Sequence, residues 1–125
     1  PHGETGRRAE EVCSLPPRNV DQRDYQAPSM SLLQNLMWDC IGIERVGSEL
    51  ENAATTLAAW DKAIAAPSDR STYDLRNAIT VGRLIAEASL YRQESRGAHF
   101  RSDFPESSPK WLKHVVWVRR GGAIE

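Results

Sequence analysis

The sequence lacks an excess of charge of either sign, and it lacks long apolar runs. Lys and Arg number 16 against 17 Asp and Glu, so the formal net charge is −1. Generic nucleic-acid binders carry a basic surplus, which this chain does not have. No segment approaches the roughly 20 apolar residues that cross a bilayer. We therefore expect no nucleic-acid partner and no membrane span.

Cysteine is scarce as well. The two cysteines, Cys13 and Cys40, stand far apart and form no Cys-x-x-Cys motif. This usage favours free thiols in a reducing compartment, with Cys40 packed in a helix and the cytoplasm as the expected location. A disulfide between the two remains the alternative.

The usual catalytic motifs are missing. The chain contains no Gly-x-Gly-x-x-Gly, Walker, His-Glu-x-x-His or Gly-x-Ser-x-Gly pattern. Its three histidines, His2, His99 and His114, do not share the spacing of zinc ligands. The residues alone therefore predict no catalytic, cofactor-binding or metal-binding position in this chain.

Residues 1–28 differ in composition from the rest. They contain four prolines, several charged pairs and few large apolar side chains. Such a segment buries too little surface to offset its ordering entropy. We predict an extended lead-in, poorly ordered unless another surface holds it, with one or two helical turns at Arg7–Val12. Because the chain starts at Pro1 without a signal peptide, we interpret it as a piece of a longer protein.

Three amphipathic helices are predicted after this lead-in, over residues 31–42, 48–67 and 71–94. Each begins at a capping box or a weaker variant of one: Ser31–Gln34, Ser48–Glu51 and Ser71–Asp74. Apolar residues recur at three- and four-residue spacing behind each start. The predicted fold class is mainly α, a spectrin-repeat-like up-down-up three-helix bundle with an extended N-terminal lead-in and a short extended C-terminal tail.

The apolar faces of these helices can be read from the same spacing. Small residues dominate the second and third faces, and Gly82 in the third costs roughly 1 kcal/mol relative to Ala. We therefore predict that another helix passes close to Gly82. The predicted faces are Leu32, Leu33, Leu36, Met37, Cys40 and Ile41; Leu50, Ala53, Ala54, Leu57, Trp60 and Ile64; and Leu75, Ala78, Ile79, Gly82, Ile85, Ala86 and Ser89.

A charged loop follows the third helix, from Glu94 to Pro105. Gly97 stands where a left-handed helix C-cap is expected. Arg96 and Arg101 can each bind a carboxylate or carbonyls bidentately, and Asp103 can orient an arginine or His99. These charges either pair locally or form a docking surface or anion site, since loops often carry function. After the loop, the β-branched and aromatic residues 111–118 predict a short strand.

The loop carries a resemblance to a known family. Its string Glu94-Ser-Arg-Gly-Ala-His-Phe-Arg-Ser-Asp-Phe-Pro105 resembles the C-terminal helical domain of the succinate dehydrogenase/fumarate reductase flavoprotein superfamily. Residues 36–45, with Trp38, resemble the L-aspartate oxidase branch, whereas Trp111–His114 is similar to the dehydrogenases. The resemblance runs from about residue 31 to 114. Gly6–Glu10 also resembles the end of the last helix of the family's FAD-binding domain.

The resemblance implies a piece of an FAD-dependent enzyme. Members of the oxidase branch convert L-aspartate to iminoaspartate on non-covalent FAD, the first step of de novo NAD biosynthesis, with quinolinate synthase as the pathway neighbour. It implies that residues 1–28 are a linker from an FAD-binding domain and residues 29–125 the C-terminal helical domain. This domain is expected to pack against its own FAD-binding and capping domains, to bind no FAD by itself and to be inactive alone.

Candidates for the interdomain contact are Arg96, Gly97, His99, Arg101 and Asp103. Two other interpretations stay open. One is the flavoprotein subunit of a succinate dehydrogenase or fumarate reductase, and the other is a free-standing three-helix interaction module. A domain separated from its partner predicts a sizeable exposed apolar patch, or a homodimer formed through it. A free-standing module predicts a polar exterior.

Overall fold

A bundle of α-helices forms the centre of the computed structural model, which describes residues 9–64 and 66–118. The described part contains three α-helices: α1 Met30–Ile41, α2 Gly47–Ala63 and α3 Arg70–Tyr91. Short 3-10 helices span Gln22–Asp24 and Pro109–Trp111. The predicted mainly helical three-helix fold is confirmed. The chain reverses between successive helices, so that the end of α1, the start of α2 and the end of α3 lie together; we call this the upper end.

Four short strands accompany the helices: β1 Ala9–Cys13, β2 Glu44–Arg45, β3 Phe100–Arg101 and β4 Lys113–Trp117. β1 pairs with β4 and β2 with β3, both in parallel. β4 confirms the strand predicted near the C-terminus. Helical structure was predicted at Arg7–Val12, and a helix end at Gly6–Glu10. From Ala9 onward both predictions are wrong, because the backbone there forms β1 and pairs with β4. Residues 6–8 lie outside the described residues.

Two of the helices have N-caps two residues earlier than predicted. The Ser29 hydroxyl accepts the backbone N–H three residues on, at 3.2 Å, and caps α1. The Asp69 carboxylate accepts in the same way at 2.9 Å and forms a capping box with Thr72. The predicted caps Ser31 and Ser71 are wrong. Each of these serines lies inside its helix, and the residue two positions upstream is the N-cap.

The end of α3 also differs from the prediction. The helix ends at Tyr91 and not near Glu94. Gly97 does adopt a left-handed conformation, with φ of 60°. However, it lies in the turn between Arg96 and His99, whose backbones form a bridge, and not at the helix end. The positive φ was predicted correctly and its role as a C-cap was not.

The core lies between the three helices, and α2 and α3 share the longest contact. Gly82 is the point of close approach: a Cβ there would lie 3.1 Å from Met37 Sδ and 3.6 Å from side-chain carbons of Leu33 and Leu57. This confirms the close approach predicted for Gly82. Ile85, predicted on the buried face, is exposed. The completely buried apolar side chains are Leu50, Ala53, Ala54, Leu57, Ile79 and Ala86.

The N-terminal segment lies along α2 and α3 in an extended course. Arg83 donates to the Pro16 carbonyl at 2.8 Å, and the Trp60 indole donates to the Gln26 carbonyl at 2.8 Å. The helices therefore supply the surface that this segment requires. A domain boundary at residue 28 stays a prediction.

Both cysteines are free thiols, as predicted. Cys40 is buried in α1, on the face that packs into the core. Burial raises the pKa of its thiol. Cys40 packs in the core, and the Cys13 thiol contacts the Glu11 carboxylate. These contacts support a structural role for both thiols.

Candidate functional site

The loop after α3 returns to the upper end of the bundle. Its residues 94–105 form what we call the charged hairpin. Within it, β3 pairs with β2, the two-residue strand between α1 and α2. The backbone N–H of Ser102 also donates to the Arg45 carbonyl at 2.7 Å. The hairpin is therefore attached to the connection between the first two helices.

Arg101 closes the C-terminal end of α3. Its side chain is buried, with a relative exposure of 2% for the residue. One guanidinium nitrogen donates to the Leu90 carbonyl at 2.7 Å and to the carbonyls of Ser89 and Arg92 at 3.3 Å. The last carbonyls of a helix have no partner within the helix and carry negative partial charge. The Arg101 guanidinium supplies hydrogen-bond donors to these carbonyls and a positive charge opposite their partial negative charge.

Asp103 joins Arg101 to the start of α2. Its carboxylate accepts two hydrogen bonds from Arg101, at 3.1 and 2.7 Å. The same carboxylate accepts the Gly47 backbone N–H at 3.0 Å. The hydrogen bonds from Arg101 are the main reason that the pKa of Asp103 is lowered. The predicted cap Ser48 is wrong, because the cap of α2 comes from a residue far along the chain.

Glycine at position 47 leaves room for this arrangement. A Cβ there would lie 2.8 Å from both Arg101 Nη2 and Asp103 Oδ2. Contacts this short force a shift of the ion pair. The absence of a side chain therefore lets the hairpin approach the first turn of α2.

Glu94 is a completely buried carboxylate at the base of the hairpin. It accepts hydrogen bonds from Arg92 at 2.7 Å, from Arg96 at 2.9 Å and from the Ser108 backbone N–H at 2.8 Å. Burial by itself would raise its pKa. The hydrogen bonds from Arg96, Ser108 and Arg92 outweigh burial and lower the pKa to about 2. Glu94 is therefore ionised and held by two cations.

Arg92 extends this network to the C-terminal strand. It donates to the carbonyls of Trp111 and Lys113, both at 2.6 Å. Its guanidinium also lies 5.5 Å from the centre of the Trp111 ring. The end of α3, the hairpin and the start of β4 are thus joined through one side chain.

His99 connects the hairpin to Arg45. The Arg45 guanidinium lies 2.9 Å from His99 Nδ1 and 3.0 Å from the Ser89 hydroxyl. Since arginine only donates, Nδ1 accepts, and Nε2–H donates to the Arg92 carbonyl at 3.1 Å. Burial is the main cause of the lowered pKa of His99, and the neighbouring arginines add to it. His99 is therefore a neutral bridge between positively charged neighbours.

A second charged cluster holds the N-terminal segment. Arg18 binds Glu87 at 2.6 Å and Glu51 at 2.5 Å, so it links α2 and α3. Glu87 has only 3% of its side chain exposed. The hydrogen bond to Glu87 is the main reason that the pKa of Arg18 is raised. This cluster borders a groove of about 600 Å³ whose lining includes Cys13, Tyr91, Trp111 and Trp117.

The structure brings the five predicted docking residues together in the hairpin. Arg96, His99, Arg101 and Asp103 each bind partners inside the domain, and Gly97 is exposed at the turn. Whether they also hold another domain stays a prediction. Sequence reasoning assigned no role to four charged residues that organise the site or the N-terminal segment: Arg18, Arg45, Arg92 and Glu94. The available signal for Glu94 was its position midway between two arginines, two residues from each.

The described residues do not fit an FAD site. Dinucleotide phosphates bind at helix N-termini that are free to donate their N–H groups. At the starts of α1, α2 and α3, an oxygen of Ser29, Asp103 or Asp69 already accepts a backbone N–H. Two of these groups are carboxylates, which repel a pyrophosphate. Over residues 9–64 and 66–118, no three His, Cys, Asp or Glu side chains form a metal-binding group either.

The geometry thus defines a helical domain closed at one end by buried ion pairs. None of its described helices is both long and apolar enough to cross a membrane. A family model described as the C-terminal part of the fumarate reductase flavoprotein matches residues 30–125. The chain belongs to this flavoprotein family, which is a family of oxidoreductases, and constitutes its C-terminal helical domain.

Curated relatives agree with this assignment. L-aspartate oxidase 1 of Ralstonia nicotianae is 37% identical over 103 residues, covering 78% of this chain and 19% of that protein. L-aspartate oxidase of Rhodospirillum rubrum is 40% identical over 95 residues, covering 76% of this chain and 31% of that protein. One subunit of the fumarate reductase (CoM/CoB) of Methanothermobacter marburgensis is 30% identical over 98 residues, covering 70% of this chain and 18% of that protein. The chain spans between about a fifth and a third of these relatives.

Proposed function

We propose that this chain is the C-terminal helical domain of an FAD-dependent L-aspartate oxidase. The observation that carries the proposal is the likeness to the oxidases of Ralstonia and Rhodospirillum over three quarters of the chain. The complete enzyme would oxidise L-aspartate to iminoaspartate, the first step of de novo NAD biosynthesis, in the cytoplasm. FAD would be held by other parts of that enzyme, since the described residues here do not fit it.

The role proposed for this domain is to support the flavin-binding part and not to catalyse. Two buried contacts fix the geometry of the hairpin. Glu94 accepts a hydrogen bond from Arg96, and Arg101 donates to the Leu90 carbonyl at the end of α3. A rigid, preorganised surface loses little entropy when it docks. Arg96, Gly97, His99, Arg101 and Asp103 are the residues through which we propose that the hairpin holds the interdomain contact.

Purification of the complete gene product that contains these residues tests the function. We expect bound flavin, hydrogen peroxide production with L-aspartate under air, and little oxidation of succinate. A gene product that holds no flavin contradicts the proposal.

A second candidate is the flavoprotein subunit of a fumarate reductase or succinate dehydrogenase. The relative from Methanothermobacter favours it, as does the dehydrogenase-like Trp111–His114 segment. The same assay separates the two candidates, because the second predicts that the flavin is reduced by succinate and not by L-aspartate.

The proposed contact through Arg96 can be tested against a matched variant. Arg96→Ala removes a guanidinium from the hairpin, and Arg23→Ala removes one from an exposed local pair with Asp21 in the N-terminal segment. We expect Arg96→Ala to weaken FAD affinity of the complete product more than Arg23→Ala does. Equal effects of the two variants would restrict Arg96 to a role inside the domain.

A further inference from the structure

The groove beside the second charged cluster is lined by three aromatic side chains that contact one another. The ring centre of Tyr91, the last residue of α3, lies 5.3 Å from that of Trp111 and 6.0 Å from that of Trp117. Both contacts are edge to face, and such rings pack favourably against a further ring. The groove encloses about 600 Å³, and small-molecule pockets typically enclose roughly 300–1,000 Å³. Its size and lining therefore suit a small aromatic molecule.

Two hydrogen-bond donors in this lining lack an acceptor. The indole nitrogens of Trp111 and Trp117 are buried, and neither has a hydrogen-bond partner among the residues that the structure describes. Trp111 as a whole is only 6% exposed. Buried indole N–H groups usually have a partner, and a buried donor without one is unfavourable. Since both tryptophans line the groove, a molecule there that carries an acceptor oxygen can supply the missing partner.

The charges of the groove lining compensate one another. Arg18 and Glu87 are the charged residues in the described lining, and their side chains bind each other at 2.6 Å. Burial raises the pKa of the Cys13 thiol, which is therefore uncharged at neutral pH. An unpaired charge on a ligand would be costly to bury here. The groove thus favours a neutral molecule.

Contacts within the domain form the groove before any ligand binds. On one side, Arg18 attaches the N-terminal segment to α2 and α3, and β1 pairs with β4. At the C-terminal part of the lining, Arg92 donates to the Trp111 carbonyl at 2.6 Å. A pocket that is formed in advance loses little entropy when it binds a ligand.

We propose that this groove binds a small, neutral aromatic molecule whose carbonyl oxygen accepts the indole N–H of Trp111 or Trp117. The ring of the ligand packs beside Tyr91. This site does not depend on which substrate the complete enzyme oxidises, so it adds a binding function to the supporting role proposed above.

A titration of the complete gene product with coumarin tests the proposal, followed by saturation-transfer-difference NMR. Coumarin is planar and neutral and carries a carbonyl oxygen, whereas chromene has the same two rings without the carbonyl. FAD is added to saturation beforehand, so that coumarin held at a flavin site does not contribute. We expect saturable binding of coumarin, and binding of chromene about fivefold weaker, as for the loss of one hydrogen bond.

Three matched substitutions locate the binding. Trp111→Phe and Trp117→Phe each keep an aromatic ring and remove the N–H. Trp38→Phe makes the same change at a residue that is 74% exposed and lies outside the groove lining. We expect at least one of the groove variants to bind coumarin about fivefold more weakly, and Trp38→Phe to bind it like the wild type. Trp117 is half-buried, so its variant keeps the test decisive if circular dichroism shows that Trp111→Phe does not fold.

The outcomes separate this site from the proposed function. The absence of saturable coumarin binding overturns the proposal, and so does equal affinity in the wild type and the folded groove variants. Equal affinity for chromene and coumarin also overturns it, because the indole donors would then play no part. A product that binds coumarin as expected and holds no flavin contradicts the proposed function alone.

Discussion

At the scale of the residue, Glu94 determines the geometry of the charged hairpin. Its carboxylate is completely buried, and two arginines and one backbone N–H bind it. Removal of the Glu94 charge leaves two partly buried arginines without an anionic partner, which costs more than the pair contributes. The hairpin therefore depends on a charge at this position and not on the volume of the side chain.

The first prediction concerns Glu94→Gln. The variant keeps the size of the side chain and removes the charge, so Arg92 and Arg96 lose their common partner. We expect the free energy of unfolding to fall by about 3 kcal/mol, measured by urea denaturation. Glu106→Gln is the control, because Glu106 is exposed, and we expect a change within about 0.5 kcal/mol. Equal values for the two variants would contradict the account of Glu94.

The second prediction concerns pH and His99. Burial lowers the pKa of His99 in the folded domain, and the nearby arginines reinforce this. Below its unfolded pKa of about 6.5, the unfolded chain binds the proton first. Stability linked to His99 is therefore complete above that pH and is lost as the pH falls toward the folded pKa. Urea denaturation between pH 7.5 and pH 5 should show this decline.

The variant His99→Gln provides the control for the pH experiment. It removes the titrating group while keeping a side chain that can donate to the Arg92 carbonyl. We expect the decline in stability between pH 7.5 and pH 5 to be smaller in the variant. A decline of the same size would assign it to other groups. The carboxylate of Glu94 does not interfere, since its pKa of about 2 places its effect at lower pH.

At the scale of the element, one of the three helices takes its cap from a distant part of the chain. α1 and α3 are capped by residues adjacent in sequence, Ser29 and Asp69. α2 begins at Gly47 with Val46 as its N-cap residue, which offers no side-chain hydrogen bond. The Asp103 carboxylate supplies it instead and simultaneously binds the arginine that closes α3. The hairpin thus caps the start of α2 and the end of α3.

The third prediction follows from this double role of Asp103. Asp103→Asn keeps an oxygen for the α2 cap and loses the charge opposite Arg101, whereas Asp103→Ala loses both. We expect Asp103→Ala to destabilise the domain more than Asp69→Ala, since an ordinary cap contributes about 1 kcal/mol. Asp103→Asn should lie between Asp103→Ala and the wild type. Thermal unfolding of the three variants measures the order, and an Asp103→Ala variant as stable as the wild type would refute the shared cap.

At the scale of the whole molecule, the sequence patterns predicted the elements that depend on local information. The periodic apolar faces indicated three helices, and the small residue at Gly82 indicated their close approach. The patterns did not predict the α2 cap, because Asp103 lies far from Gly47 in sequence. They placed Ile85 in the core, but Ile85 is exposed, whereas Glu87, two residues further along α3, is buried. The charge of Glu87 is balanced by Arg18 from the N-terminal segment and by Arg83, four residues earlier on α3.

In the candidate site too, local sequence indicated some features, whereas others depend on residues that are distant in sequence. The residue types in the hairpin indicated either local ion pairs or a docking surface, and the structure contains the local ion pairs. Which cation binds which carboxylate depends on how the ends of α3, α2 and β4 come together, and a single sequence does not specify this. Arg45 is an example, since the pairing of β2 with β3 brings it next to the loop that carries His99.

The most direct test of the central claim is an absorbance titration with FAD, applied to the complete gene product and to these 125 residues alone. We expect the complete product to bind about one flavin per chain. We expect the 125-residue segment to bind none, because Ser29, Asp103 and Asp69 already accept backbone N–H groups at its described helix N-termini. Flavin bound by the segment alone, or a complete product with no flavin, would contradict the claim that this is a supporting domain of a flavoenzyme.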